Sequence, residues 1–303
     1  MSSETAPDYS TVVSATGFLR PRASRSLETF HEHLITSHRT MALLGAGLSA
    51  PSGIPTYRGK GGVWRTHDVT QLATPAGFEQ DPALVWTFEL ERRKSITDAK
   101  PNAAHYTLAA YAKVNPNFLA LTMNVDNLSE RADHPLDQLC HLHGSTFEVK
   151  CSKCNLRWIG EDAEKCLVVL LQHDLAVPLE RKDIPRCPAY RCDGLLRPGI
   201  VWFTESISQA IMKYVHDWIA PDDSSSTIDT MLVIGTSALV YPATAYIEAA
   251  RRKGARVAVV DIEKEDPSLL GLQEQDWYFQ GDAGDLVPKM LAPVIEVNGH
   301  RTS

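Results

Sequence analysis

Four cysteines stand in two close pairs near the middle of this 303-residue chain. Cys151 and Cys154 form a C-x-x-C pair, and Cys187 and Cys192 form a C-x-x-x-x-C pair after 32 intervening residues. Two such pairs brought together supply four thiolates for a tetrahedral Zn²⁺ ion and leave no open position for a catalytic water. The spacing therefore predicts one structural zinc site. Two redox-active pairs are the alternative, and the wider second pair fits that alternative less well.

Small and polar residues follow four short apolar stretches that we predict as buried strands. They are Gly45, Ala46, Gly47 and Ser49 after 41–44, Asn124 and Asp126 after 118–123, Gly235, Thr236 and Ser237 after 231–234, and Asp261 after 256–260. Ligands of α/β proteins collect at the carboxyl ends of strands, where a small-residue turn presents N–H groups to a phosphate. Tight structural turns and local Asn or Asp hydrogen bonds are the alternative.

Two further groups of residues could act at these strand ends. Arg58 follows the first turn, and its planar guanidinium can donate two parallel hydrogen bonds to a pyrophosphate. His141 and His143 would face the same side if their stretch is a strand. A structural role for the histidines, or zinc binding together with Cys140, stays open on the residues alone.

The elements that must position these residues alternate between strands and helices, which predicts an α/β fold. Helical spacing or composition predicts helices over 26–38, 75–99, 102–113, 206–218 and 243–253, and the last strand is predicted over 277–281. Residues 1–25 are predicted as a flexible N-terminal tail and 296–303 as a second tail. Between them we place a large domain, 26–147 with 195–295, which carries a helical cofactor-loop insert at 59–100. A small zinc module occupies 148–194.

The composition is that of a globular protein, with 44% hydrophobic and 22% charged residues. A net charge of −7 argues against direct nucleic-acid binding, which needs a basic surface. No apolar run approaches the length of a membrane span, so we expect no membrane partner. The arginines and serines of 1–25 faintly resemble a transit peptide, but Glu4 and Asp8 argue against one. We expect a monomer in the cytoplasm and/or nucleus, with mitochondria as the alternative.

The stretch GAGLSAPSGIPTYRG at 45–59 resembles the first NAD-binding motif of the sirtuins, the NAD-dependent protein-lysine deacylases. Later segments extend the likeness over roughly 35–290, and the chain is most similar to class III sirtuins. These segments are TMNVDNLS at 122–129, HGS at 143–145, the four cysteines, LRPGIVWFTE at 196–205 and GTSALVYP at 235–242. The resemblance implies a Rossmann-like parallel sheet with helices on both faces, plus a small zinc-binding domain.

The resemblance also implies a reaction, in which the acyl group of acyl-lysine passes to ADP-ribose and nicotinamide is released. NAD and one structural zinc are then the cofactors, and acyl-lysine proteins or peptides are the substrates. The implied catalytic residues are His143, as general base, and Asn124. The implied cofactor contacts are Gly45, Ala46, Gly47, Ser49, Tyr57, Arg58, Trp64, Asn124, Asp126, Gly235, Thr236, Ser237, Asp261 and Ala283. The implied substrate contacts are Glu89, Arg92, Val201, Trp202, Phe203, Val240 and Tyr241.

Six positions depart from the family pattern, namely Glu89, Met123, Asn127, Ser129, Thr204 and Asp261, which stands where the family has Asn. Glu89 stands where class III sirtuins place the tyrosine that, with Arg92, holds an acidic acyl group, so we expect a neutral or mixed acyl preference. On the residues alone, Glu89 and Arg92 are also explained as a solvated ion pair on one helix face. Met123 replaces a glutamine that contacts the nicotinamide ribose, and Thr204 replaces a glycine. A catalytically weakened NAD or ADP-ribose-binding regulator and a protein mono-ADP-ribosyltransferase are the alternative functions.

Overall fold

A parallel sheet forms the centre of the fold in a computed structural model of the chain. The structure describes residues 11–13, 19–21, 23–56, 62–221, 226–236, 243–262 and 271–299. In chain order, the strands are β1 (Thr11–Val13), β2 (Leu19–Pro21), β3 (Thr40–Leu44), β4 (Val63–Trp64), β5 (His67–Asp68), β6 (Phe118–Thr122), β7 (Leu139–His141), β8 (Val149–Cys151), β9 (Arg157–Trp158), β10 (Leu196–Pro198), β11 (Thr230–Ile234), β12 (Arg256–Asp261) and β13 (Trp277–Gln280). The helices are α1 (Leu27–Thr36), α2 (Val69–Leu72), α3 (Pro75–Gln80), α4 (Pro82–Asp98), α5 (Ala103–Val114), α6 (Leu128–Arg131), α7 (Gly160–Leu171), α8 (Gln209–Ile219), α9 (Ala243–Arg252) and α10 (Ala283–Gly299). Among the described residues, no helix combines the length and apolarity needed to span a bilayer.

The central sheet has the order β13-β12-β11-β3-β6-β7, and every neighbouring pair is parallel. From β3 the chain builds outward first through β6 and β7, and later through β11, β12 and β13 on the other side. The strand order therefore reverses between β3 and β11. Ligands of open α/β sheets bind in the crevice beside the carboxyl ends of the strands at such a point.

Both faces of this sheet are buried, because its strands alternate apolar side chains between two cores. Ala42 and Leu44 of β3 pack into the cluster formed with α1, α5 and α10. Met41 and Leu43 pack into the cluster formed with α8 and α9. This period-2 alternation confirms the predicted parallel sheet with helices on both faces.

The helical insert and the cysteine module share a third apolar cluster. Phe88 and Trp86 of α4 lie in it together with Leu167 of α7 and Leu196 of β10. Trp86 Nε1 also donates a hydrogen bond to the Leu196 carbonyl at 2.8 Å. β10 pairs with β8, which pairs with β9, so the module's sheet includes a strand from beyond residue 194. The domain boundary at 194 and 195 remains our proposal, with β10 joined to both parts.

The ends of the chain differ from the two predicted tails. β1 pairs with β2 within residues 1–25, and Ser24 exchanges backbone hydrogen bonds with Asp276 and Tyr278 beside β13. This pairing extends the ordered chain into the predicted N-terminal tail. At the other end α10 continues to Gly299, because residues 294–298 contain neither proline nor glycine.

The stretch around the two histidines also differs from the prediction. β7 ends at His141, so the premise that both histidines lie on one strand is wrong. Gly144 has a φ of +72°, which turns the chain immediately after His143. His143 therefore lies in a turn just past the strand rather than on the strand.

Thr204 has a φ of +71°, a left-handed conformation that is strained for a β-branched residue. We expect Thr204→Gly to raise the free energy of unfolding by about 1 kcal/mol or less. The strain relieved is about 1–2 kcal/mol, and the larger entropy of glycine in the unfolded chain offsets part of it. Denaturant unfolding measures the difference, and Thr204→Ala, which keeps Cβ, is expected to gain less. A glycine variant less stable than the wild type would contradict this explanation.

Candidate active site

The turns after β3, β6, β7 and β11 meet at the carboxyl edge of the central sheet. They carry Gly45, Asn124, His143 and Gly235, and Asp261 closes neighbouring β12 at the same edge. Because parallel strands all end at this edge, residues distant in sequence come together across the reversal point. Tyr57, Arg58, Ser237, Val240 and Tyr241 were also predicted for this site, but they lie outside the described residues.

The glycines after β3 pack directly against the turn after β11. Gly47 N donates to the Gly235 carbonyl at 2.8 Å. A Cβ on Gly45 would lie 2.5 Å from Thr236 Cβ, and one on Gly47 would lie 2.6 Å from Gly235 Cα. Gly235 has a φ of +64° and equally little room. These glycines are therefore required by the contact between two turns, a role that the motif alone did not reveal.

Asn124 is held by a chain of hydrogen bonds that fixes which of its atoms faces the crevice. Its Nδ2 donates to the Gly45 carbonyl at 2.9 Å and to Ser49 Oγ at 3.2 Å. Ser49 Oγ in turn donates to the buried Asp126 carboxylate at 2.7 Å. Both N–H donors of the Asn124 amide are thus used, so Oδ1 is the atom left to accept a hydrogen bond from a ligand.

His143 is oriented by a backbone carbonyl. Its Nδ1 lies 3.1 Å from the Met123 carbonyl oxygen. A carbonyl can only accept, so Nδ1 carries the proton and the lone pair of the neutral ring is on Nε2. Burial lowers the pKa of His143 below its ordinary value of 6.5, and the hydrogen bond to Met123 opposes that change. A neutral imidazole with a lone pair on Nε2 is the form a general base needs.

The remaining predicted cofactor contacts occupy different places. Ala46 begins a short 3₁₀ turn after β3, and Ala283 is buried at the start of α10. Trp64 lies on β4, where its Nε1 donates to Glu91 of α4 at 2.7 Å. The structure thus places Ala46 at the edge of the crevice, whereas Trp64 is held against α4 by its hydrogen bond to Glu91.

The segment 199–203 joins the strand-end turns to the insert. Val201 N donates to the His143 carbonyl at 2.8 Å, and Phe203 N donates to the Ala73 carbonyl at 2.9 Å. Trp202 is buried, its N donates to Glu205 Oε2 at 2.9 Å, and its ring lies under the Arg197 guanidinium. These three N–H groups are engaged within the chain, so they cannot hold an added peptide strand.

Glu89 and Arg92 lie on α4 with Arg92 Nη1 3.9 Å from Glu89 Oε2. Glu89 is only 3% exposed, so the alternative of a solvated ion pair is wrong. Burial raises the pKa of the Glu89 carboxyl, and the charges of Arg92 and Arg197 oppose the rise. Within the described part of the chain, neither Glu89 oxygen has a hydrogen-bond partner.

The four predicted cysteines converge in one cluster. Their sulfur atoms all lie within 4.8 Å of one another, with Cys151 and Cys192 at 3.6 Å and Cys154 and Cys187 at 3.7 Å. Tetrahedral zinc with Zn–S bonds of about 2.3 Å requires sulfur atoms about 3.8 Å apart, so the cluster fits that ion. Cys140 is buried and Cys166 is half-buried, and both lie outside this cluster.

Comparison with known proteins decides the family. The Sir2 family model matches residues 45–242. The chain belongs to the Sir2 family. An NAD-dependent protein deacylase of Candida albicans is 38% identical, covering 90% of this chain and 99% of that protein. The mitochondrial NAD-dependent protein deacylase sirtuin-5 of Canis lupus familiaris is 32% identical over 90% and 87% of the two chains. A solved Sir2–p53 peptide–NAD⁺ structure has a TM-score of 0.70 and 25% identity, covering 91% of this chain and 99% of that one.

Several contacts that shape this Sir2-family site were not predictable from the sequence. Ser145 Oγ donates to Asn127 Oδ1 at 2.6 Å, and Asn127 has a φ of +56°, a conformation that asparagine tolerates well. His141 Nε2 lies 2.9 Å from Glu130 Oε1 behind the His143 turn, and Arg157 reaches Gly199 from the cysteine module. Each contact depends on three-dimensional proximity, which residue types and spacing do not supply.

The cysteine cluster predicts one tightly bound zinc ion per chain. We expect Cys187→Ser to lose zinc and to lower the melting temperature, because the module depends on the ion for much of its stability. Cys166→Ser is the matched control, since Cys166 lies in the same module but outside the cluster. Elemental analysis and thermal unfolding measure both effects. Full zinc content in the Cys187 variant, or equal loss in the Cys166 variant, would contradict the assignment.

The lowered pKa of His143 predicts the pH at which kcat/KM falls on acidification. Protonation removes the Nε2 lone pair, so kcat/KM is expected to be constant above pH 7 and to fall about tenfold per pH unit once His143 is protonated. Because the pKa of His143 lies below 6.5, the midpoint of this fall should lie below pH 6.5. A midpoint above pH 7 in steady-state assays would contradict the orientation and environment assigned to His143.

Proposed function

We propose that this chain is an NAD-dependent protein-lysine deacylase that moves the acyl group of acyl-lysine to ADP-ribose and releases nicotinamide. The observation that carries the proposal is the position of His143. Its Nδ1 is held by the Met123 carbonyl at 3.1 Å, in the turn next to that of Asn124 at the crevice of a Sir2-family sheet. The family match supports the fold, the cofactor and the reaction class.

The proposed roles follow from the atoms that the site leaves available. When bound, NAD supplies the ribose that accepts the acyl group and nicotinamide as the leaving group. Asn124 Oδ1 accepts a hydrogen bond from a ribose hydroxyl or from the nicotinamide amide. His143 Nε2 would act as the general base towards a ribose hydroxyl of the bound dinucleotide. The paired turns at Gly45 and Gly235 form the wall beside the phosphates without donating to them, because the N–H groups of Gly45, Gly47 and Gly235 already donate to carbonyls of the chain.

The proposed contacts of the dinucleotide and the peptide extend to both sides of the crevice. Asp261 accepts hydrogen bonds from the adenosine ribose, where its charge disfavours the 2′-phosphate of NADP. The acyl-lysine peptide lies beside the 199–203 segment and is held there by groups other than the engaged N–H groups of Val201, Trp202 and Phe203. Tyr57, Arg58, Trp64, Ser237, Val240, Tyr241 and Ala283 complete the proposed contacts.

The acyl preference is proposed to be neutral or mixed rather than strictly acidic. Glu89 is buried next to Arg92, so a carboxylate on the acyl group would meet its negative charge when Glu89 is ionised.

The assignments of a monomeric state and of a cytoplasmic and/or nuclear location also remain proposals, with mitochondria as the alternative. Gel filtration with light scattering and imaging of the tagged chain test them.

The direct test combines the purified chain, NAD and peptides that carry acetyl-, butyryl- or succinyl-lysine. We expect one nicotinamide released per lysine unmasked, and a loss of about 10²–10⁴-fold in His143→Asn with NAD affinity retained. His216→Asn, on the exposed side of α8, is the control. NAD binding without turnover would instead support the regulator, and radiolabel from NAD retained on the target protein would support ADP-ribosyl transfer.

Glu89 predicts a shift of acyl preference on substitution. Glu89→Tyr removes a buried carboxyl group beside Arg92 and adds a phenol donor. We expect the succinyl-to-acetyl ratio of kcat/KM to rise at least about fivefold, since removing one repulsive charge contact is worth about 1 kcal/mol or more. Glu79→Gln, at an exposed position on α3, should leave the ratio unchanged. A ratio that stays constant in Glu89→Tyr would exclude Glu89 as a determinant.

Met123 predicts a gain of activity on substitution. Its backbone carbonyl orients His143, while its half-buried side chain packs against the α8 and α9 side of the sheet. Met123→Gln keeps the backbone contact and adds a side chain able to hydrogen-bond a ribose, so we expect turnover to rise by up to about tenfold. Met123→Leu is the control without that ability. Unchanged turnover in Met123→Gln would mean that another group already makes the contact.

A further inference from the structure

Arg157 belongs to the cysteine module but donates one of its hydrogen bonds across the boundary to the large domain. Its Nη1 lies 2.6 Å from the Gly199 carbonyl oxygen and 3.1 Å from Glu148 Oε2. Gly199 begins the 199–203 segment, immediately after β10. Neither bond serves the cysteine cluster itself, so the guanidinium acts on the segment beside the crevice.

Gly199 has almost no freedom to move relative to the His143 turn. Its N–H donates to the Glu148 carbonyl at 2.8 Å, and a Cβ on Gly199 would lie 2.4 Å from Glu148 Cβ. A Cβ on Gly144 would lie 2.4 Å from the Gly199 carbonyl oxygen. Val201 N then donates to the His143 carbonyl. The 199–203 segment is therefore anchored at Gly199 to the cysteine module and at Val201 to the His143 turn.

The position of Arg157 is set by the hairpin that carries the first cysteine pair. β8 and β9 pair antiparallel, with Lys150 opposite Arg157. Cys151 N donates to the Leu156 carbonyl at 2.9 Å, which closes the hairpin next to the cluster. A continuous series of contacts thus runs from the cysteine cluster through the hairpin and Arg157 to Gly199.

The charged side chains near the His143 turn alternate in sign, and their ion pairs belong to the same series of contacts. Glu130 pairs with His141 at 2.9 Å, and Glu148 pairs with Arg157 at 3.1 Å. The charge of His141 also acts on Glu148. Glu148 is therefore paired with Arg157, and the charge of a histidine of the large domain also favours its ionised form.

We propose that Arg157 is a positioning residue through which the cysteine module holds the 199–203 segment in the conformation that binds the peptide substrate. The proposal rests on the proposed function for the identity of the substrate. The proposal predicts different effects on peptide binding and on NAD binding, because the turns after β3 and β11 that would bind NAD do not include Arg157. Loss of the Arg157 contacts should weaken peptide binding and leave NAD binding intact.

The test compares Arg157→Gln and Arg157→Lys with Arg181→Gln. Arg181 also reaches out of the module, but it donates to the Glu79 carbonyl on α3. Peptide and NAD affinities are measured by calorimetry, KM and kcat by steady-state assay, and zinc by elemental analysis. We expect Arg157→Gln to raise peptide KM and Kd about tenfold, with NAD affinity and zinc content unchanged, and Arg157→Lys to recover part of the loss.

Three outcomes would overturn the proposal: unchanged peptide affinity in Arg157→Gln, an equal loss in Arg181→Gln, or a loss that falls on kcat or NAD affinity instead. If Arg157→Gln fails to fold, Glu148→Gln tests the same series of contacts from the other side, and unchanged peptide affinity there overturns it. A wild-type chain that binds NAD and peptide but does not deacylate would refute the proposed function alone. Calorimetry of the peptide would still decide the role of Arg157.

Discussion

The contact between the turns after β3 and β11 is the constraint on which the rest of the site depends. Gly47 and Gly235 approach so closely that a methyl group on either would meet backbone atoms within 2.6 Å. This contact joins the two halves of the sheet where the strand order reverses, and the crevice opens at that point. A side chain there would separate the turns, and the carbonyl of Gly45 that holds the Asn124 amide would move with them.

Two backbone carbonyls and one hydroxyl group orient the two proposed catalytic residues. Asn124 is fixed by the Gly45 carbonyl and Ser49, and His143 by the Met123 carbonyl. Because β3, β6 and β7 are neighbours in register, the same strand pairing that builds the core also aligns these groups. The burial that keeps His143 neutral follows from the position of its turn against the 199–203 segment. Fold and protonation state therefore have a common origin.

Much of this site was predictable from the sequence because its signals are local. The cysteine spacing predicted a cluster that the structure confirms, and apolar runs that end in Gly, Asn or Asp predicted the strands and their shared edge. Burial of Glu89 and the reach of Arg157 to Gly199 were not predictable, since each depends on how the module and insert pack on the large domain. The strand assumed through His143 was wrong because the turn at Gly144 requires a φ that only the folded contact with Gly199 explains.

A crystal structure of the chain with NAD and an unreactive acyl-lysine analogue tests the central claim most directly. The nicotinamide ribose should lie between Asn124 Oδ1 and His143 Nε2, each within hydrogen-bonding distance of a ribose hydroxyl, with Nδ1 still bound to the Met123 carbonyl. A dinucleotide bound away from the β3 and β11 turns, or a His143 ring whose Nε2 faces away from the sugar, would contradict it.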